Sequence, residues 1–221
     1  MKLVFSLLTL TAATLFARPA FAGDDKTKGK DTLVVIGTSF GEITLILYPE
    51  TPRHRSNFFR LAGEKFYDST SFHRIIKNFM IQGGDPNSKD DQPGNDGQGG
   101  PGYTIPAEFN PAFTHVQGAL AAARLGDQVN PEKASSGSQF YIVENPGGTP
   151  FLNMNYTVFG QTIKGLEVVS AIASQPKDGA DRPDRKISMW VKLVPMKKEK
   201  VTQTYGYDYA NRTIRQELIK K

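Results

Sequence analysis

The stretch FHRIIKNFMIQGGD, residues 72 to 85, brings Arg74, Phe79, Met80 and Gln82 together within one short run. It reads as strand-like, one arm holding Arg74 and a second holding Met80 and Gln82. Folded back on each other, the arms place a cation, an amide and two large apolar side chains around a shared surface. Such a surface suits a ligand that is mostly apolar and carries one polar handle. Hydrolytic chemistry finds no support in the spacing: no Ser/His/Asp set, no paired carboxylates, and no two His residues at i, i+4 for a metal.

Upstream, Thr32 to Tyr48 holds two apolar runs, Leu33–Ile36 and Ile43–Leu47, divided by Gly37 to Gly41, the pattern of a β-hairpin. Thr51-Pro52 is an N-cap candidate with proline at the first helical position. Phe58, Phe59, Leu61 and Ala62 then stripe a helix that should stop near Gly63 to Lys65. Downstream, Asp85 to Gly102 carries five Gly, three Pro and four Asp and reads as one long surface loop. Val116–Ala123, Gln139–Val143, Tyr156–Gln161 and Ile187–Val194 are strand candidates, and Leu166–Ala173 is a helix with Val168, Val169 and Ile172 on one face. Many short strands with two helices predict an all-β barrel or sandwich whose openings the helices cover.

Composition narrows the function. The 221 residues contain no Cys, so disulfides, thiol catalysis and Cys-ligated zinc are excluded. The net charge of +5 is unevenly distributed: +2 in residues 1 to 22, +4 in residues 197 to 221, and −1 in the body between them. The excess lies at the two ends, so no basic face for nucleic acid is indicated. Lys2, the fifteen uncharged residues Leu3–Ala17 and Ala20-Phe21-Ala22 predict a signal peptide, residues 1 to 22, cleaved after Ala22. Residues 23 to 31 then form a charged linker, residues 32 to 196 the folded domain and residues 197 to 221 a basic C-terminal extension. This organisation implies an exported protein, periplasmic or secreted, that meets the membrane only through its signal peptide.

Three blocks, FHRIIKNFMIQGGD (72 to 85), GALAAARL with SSGSQFYIV (118 to 125, 135 to 143) and PFLNMNYTVFG (150 to 160), occur in the order found in cyclophilins. GGPGYTIPAEF (99 to 109) fits the connecting segment. From about Thr32 to Val194 the chain resembles a cyclophilin-type peptidyl-prolyl cis/trans isomerase of the bacterial type. The resemblance implies a closed eight-stranded antiparallel barrel capped by two α-helices, with its groove on the outer surface. It further implies a monomer that needs no cofactor or metal and acts on proline-containing segments of client proteins. A non-catalytic proline-peptide binding or holdase module using the same groove is the alternative.

By motif position, Arg74 matches the catalytic Arg of the family and Gln82 the amide that orders it. Phe79, Met80, Tyr141 and Leu152 match the pocket for the proline ring, and Ala123, Arg124 and Gln139 the groove for the residues before it. Phe151 stands where the family has an indole and Tyr156 where it has His. The missing indole N–H argues against tight cyclosporin binding. Arg124, where many members have Asn, implies a charge at the groove edge that favours acidic residues before proline.

Other motifs attract blander readings. His73 is expected to be a hydrogen-bonded structural residue. Gly97 to Gly102 satisfies GxGxxG, but Pro101 and the lack of a following helix remove the phosphate-binding context. In the extension, Tyr205, Tyr207 and Tyr209 alternate as a strand would, and Ile214, Leu218 and Ile219 suggest a short helix.

Overall fold

The computed structural model describes residues 29 to 214, so the predicted signal peptide and Leu218 and Ile219 lie outside the described residues. β1 (Lys30–Thr38) and β2 (Gly41–Leu47) form the predicted hairpin, with Thr38 opposite Gly41. β1 begins at Lys30, so the last two residues of the expected linker are sheet. α1 (Pro52–Gly63) ends where predicted. Its start is built differently: the Thr51 hydroxyl donates to the Tyr48 carbonyl at 3.1 Å and caps nothing. The free N–H groups of Arg53 and His54 donate instead to the Glu108 carboxylate, each at 3.0 Å, satisfying donors that every helix start leaves open.

β3 (Arg74–Ile76) and β4 (Met80–Gly83) are the two predicted arms. They are followed by β5 (Thr104–Ile105), β6 (Ala119–Ala122), β7 (Ser135–Ser136), β8 (Phe140–Val143), β9 (Val158–Lys164), α2 (Leu166–Ala173) and β10 (Met189–Lys197). β5 and β7 pair only with each other. The remaining eight strands form one antiparallel sheet in the order β10-β1-β2-β9-β6-β8-β4-β3. Outside the strands, an isolated antiparallel bridge pairs Ser71, shortly before β3, with Ser188, next to β10. Phe72 N–H to the Ile187 carbonyl (3.0 Å) and Met189 N–H to the Thr70 carbonyl (2.8 Å) flank that bridge.

Side chains alternate across a strand, and that alternation creates two apolar layers. Ile75, Ile81, Leu120, Ala122, Phe140, Ile142 and Phe159 point inward and meet Phe58 and Leu61 of α1 and Val169 and Ile172 of α2. Met80, Ala119, Ala121, Tyr141, Val143 and Val158 point outward into a second cluster. The long loop from Asp85 contains two single 3-10 turns, Pro86–Lys89 and Pro93–Asn95. It is organised from within: fully buried Asp85 accepts from the N–H groups of Asn87 (2.8 Å), Gly97 and Gly99 (3.2 Å). A Cβ on Gly99 would come to 2.1 Å from Asp85 Oδ1, so glycine is required there. The GxGxxG amides therefore hold an internal carboxylate, and the segment leads into β5 and not into a helix.

The extension departs from its predicted layout. Lys198–Tyr205 is a third helix, α3, where no helix was expected, and Ile214, expected in a short helix, is in a strand. Tyr207–Asp208 (β11) and Thr213–Ile214 (β12) form a small hairpin. Val201 and Tyr207 are buried against Leu33, Ile46 and Ile163, outward-facing residues of β1, β2 and β9. Arg212 pairs with Glu50 and lies 5.2 Å from the Phe113 ring.

Candidate active site

Register explains how the predicted residues meet. Arg74 lies opposite Gln82 in the β3–β4 ladder, Gln82 opposite Tyr141 in β4–β8, and Tyr141 opposite Ala121 in β6–β8. These four share the outer face of the sheet. Just past β6, Ala123 provides almost no side-chain volume, and beside it this face carries a cavity of about 130 Å³. Nine of the eleven predicted residues line it. Arg74, Phe79, Met80 and Gln82 come from the β3–β4 hairpin, Ala123 and Arg124 from the end of β6, Tyr141 from β8, and Leu152 and Tyr156 from the loop before β9.

The other two predicted residues sit elsewhere. Phe151 is at the rim, with its ring stacked 6.0 Å from that of Phe79. Gln139 is buried behind the cavity. It accepts from Gln82 Nε2 at 3.0 Å and donates to the carbonyls of Gly97 (2.9 Å) and Gly99 (2.8 Å). It thereby braces Gln82 and is not among the residues that line the cavity.

Arg124 also needs correcting. Its side chain is only 5 % exposed, and its guanidinium pairs with Asp127 at 2.6 Å. It also donates to the carbonyls of Asn155 (2.7 Å) and Leu125 (2.9 Å) and lies 4.5 Å from the Tyr156 ring. The charge is spent on building the cavity wall, so the expected attraction for acidic residues has no free cation behind it. Arg74 is different: its side chain is 42 % exposed, and its ion pair with Asp181 is loose at 3.6 Å.

Sequence reasoning missed His115. Its Nδ1 lies 2.9 Å from Asn153 Oδ1, an acceptor, so that nitrogen carries the proton. Its Nε2 is then free to accept from the Tyr141 hydroxyl at 2.9 Å. Burial lowers the pKa of this His, opposed by the Asn153 bond, and keeps it neutral. Burial likewise holds the Tyr141 phenol well above its usual value of 10.0, so it stays a donor. No local motif marks His115, because both partners are distant in sequence. His73, expected to be hydrogen-bonded, is buried, and its bond to the Ser71 backbone is poorly formed. Burial lowers its pKa against the opposing charges of Asp85 and Asp96.

Chemically, the site offers an exposed guanidinium beside an ordered amide at the lip of an apolar hollow. Comparison with known proteins agrees with that inventory. Residues 33–191 match the family model described as cyclophilin type peptidyl-prolyl cis-trans isomerase/CLD. The chain is 39% identical over 163 residues to the peptidyl-prolyl cis-trans isomerase-like 1 of Neurospora crassa, covering 72% of this chain and 91% of that protein. It is 46% identical over 129 residues to the peptidyl-prolyl cis-trans isomerase B of Bacillus subtilis, covering 57% of this chain and 79% of that protein. A crystal structure of a Cryptosporidium parvum cyclophilin-type isomerase in the presence of the dipeptide Ala-Pro superposes with a TM-score of 0.64 at 29% identity, covering 73% of this chain and 98% of that one. The chain belongs to the cyclophilin type peptidyl-prolyl cis-trans isomerase family. It is an enzyme of that kind.

Proposed function

We propose that this isomerase accelerates rotation about X-Pro bonds in exported proteins and so assists their folding, with Arg74 as the catalytic group. An X-Pro bond prefers trans by only about 0.5–1 kcal/mol but crosses a barrier of about 20 kcal/mol, which makes uncatalysed exchange slow. The barrier is amide resonance. Twisting the bond breaks conjugation and localises a lone pair on the prolyl nitrogen. A guanidinium donating to that nitrogen interacts most strongly in the twisted state, and such differential stabilisation is what lowers a barrier.

Gln82 aims the guanidinium and binds the substrate backbone, while Phe79, Met80, Tyr141 and Leu152 hold the proline ring and the acyl side turns. Phe151 and Tyr156 close the rim. The observation that carries this reading is the Arg74–Gln82 pairing at the lip of the 130 Å³ cavity. The Cryptosporidium structure in the presence of the dipeptide Ala-Pro supports proline segments as ligands. We read the sheet as a closed barrel, on the strength of the Ser71–Ser188 bridge, and the protein as a monomer. Catalysis is tested by exchange NMR on an Ala-Pro peptide, where acceleration at substoichiometric enzyme is expected and its absence refutes the activity.

Export rests on residues 2 to 22, an uncharged run after Lys2 that ends in Ala20-Phe21-Ala22. Mass spectrometry of the protein from its native host tests it. A mature start at Gly23 supports export, whereas retained Met1 refutes cleavage.

A further inference from the structure

Among the described residues seven large apolar side chains stand exposed, and four of them crowd one place. Leu125 (66 %), Val129 (73 %), Phe151 (68 %) and Met154 (48 %) lie on the two loops that wall the proline cavity. Exposed apolar groups scattered singly mean little, but a concentration at a cavity mouth calls for a ligand. The loop carrying Leu125 and Val129 is braced. Asn130 donates to the Ala134 carbonyl at 2.8 Å and accepts from Ala134 N–H at 3.0 Å, and Val129 N–H donates to the Gly126 carbonyl at 3.1 Å. Both ends of the loop are tied to the other wall through one residue: Arg124 Nε donates to the Asn155 carbonyl at 2.7 Å, and Lys133 Nζ to Asn155 Oδ1 at 2.6 Å. Asn155 adjoins Tyr156, which lines the cavity, so the shelf is continuous with the proline site. Its charges cancel: Arg124 pairs with Asp127, and the loop's Lys133 stands next to Glu132. The shelf is therefore apolar and electrostatically quiet.

We propose that Leu125 and Val129 form a specificity shelf beside the proline cavity that binds large apolar side chains flanking the proline of an unfolded client. The inference rests on the isomerase reading above. Folded proteins bury such side chains, whereas chains still folding present them, and the shelf selects the latter. Released from water on contact, one such side chain accounts for roughly a tenfold preference.

The test uses Ala-Pro peptides in which each of the three positions on either side carries Leu, Ser or Glu in turn. Kd and kcat/KM are measured for the wild type and for L125S/V129S. Both substituted residues are solvent-exposed, and such surface changes leave the fold intact. At one or more positions the wild type should prefer Leu over Ser by about tenfold. The double variant should lose that preference and keep its rate on the Ser peptides. Leu and Ser peptides handled alike by the wild type, or a preference that survives in L125S/V129S, overturns the shelf and leaves the isomerase reading standing. Absence of exchange on every peptide overturns that reading instead, and the Leu preference in Kd then decides the shelf alone. Light scattering supplies the remaining arm: a wild-type dimer abolished in L125S/V129S would assign these residues to self-association and overturn client binding.

Discussion

The amide of Gln82 reaches Oε1 of Gln139 at 3.0 Å, so the side chain that faces Arg74 is aimed from outside the cavity. Gln139 is fixed in turn by two backbone carbonyls of the Asp85-centred loop. Replacing Gln139 by Ala frees Gln82 and costs positional precision where small displacements are expensive. We expect kcat/KM to fall by about ten- to hundredfold, chiefly through kcat, with the ring pocket still intact. Peptide exchange kinetics check this, and an unchanged kcat would show that Gln82 holds its place without the brace.

The extension contributes to stability more than to chemistry. Val201 and Tyr207 cover Leu33, Ile46 and Ile163, which would otherwise be an apolar patch on the outer sheet. Val201→Ala should cost about 1–2 kcal/mol, read as a lowered urea midpoint, with kcat/KM of the folded protein unchanged. Loss of activity without loss of stability would assign the extension a role in catalysis.

Two buried histidines make the fold sensitive to acid. Burial lowers the native pKa of both His73 and His115 from the ordinary value of 6.5. The unfolded chain therefore binds more protons in that range, so stability is complete above about pH 6.5 and is lost as pH falls through the depressed native values. Urea midpoints should decline between pH 7 and 5, less steeply in His115→Gln. A profile flat to pH 5 would contradict the neutral, buried state assigned to both rings.

Much of this was legible in the sequence because it is local. Arg74, Met80 and Gln82 sit on two arms of one hairpin, so strand alternation alone sets them on a shared surface. The helix over Leu166–Ala173 was likewise given by the spacing of Val168, Val169 and Ile172. What escaped depends on partners far along the chain. The start of α1 is held by Glu108, Tyr141 is held by His115, and Arg124 Nε is held by the carbonyl of Asn155; no pattern at either end announces these contacts. Gln139 was placed in the groove by its motif position, whereas its amide turns toward Gly97 and Gly99. The alternating tyrosines of the extension suggested one strand, yet Tyr205 closes α3 and Tyr207 opens β11, because the turn at Gly206 is left-handed (φ 68°) and ends the helix.

The central claim is that the Arg74 guanidinium lowers the barrier and does not merely help hold the peptide. Its most direct test is exchange NMR on an Ala-Pro peptide with wild type and Arg74→Ala, taking kcat/KM and Kd from the same samples. The account predicts a loss of about 10²–10³ in kcat/KM with Kd changed by no more than a few fold. Equal rates for the two proteins, or a loss carried wholly by Kd, would contradict it.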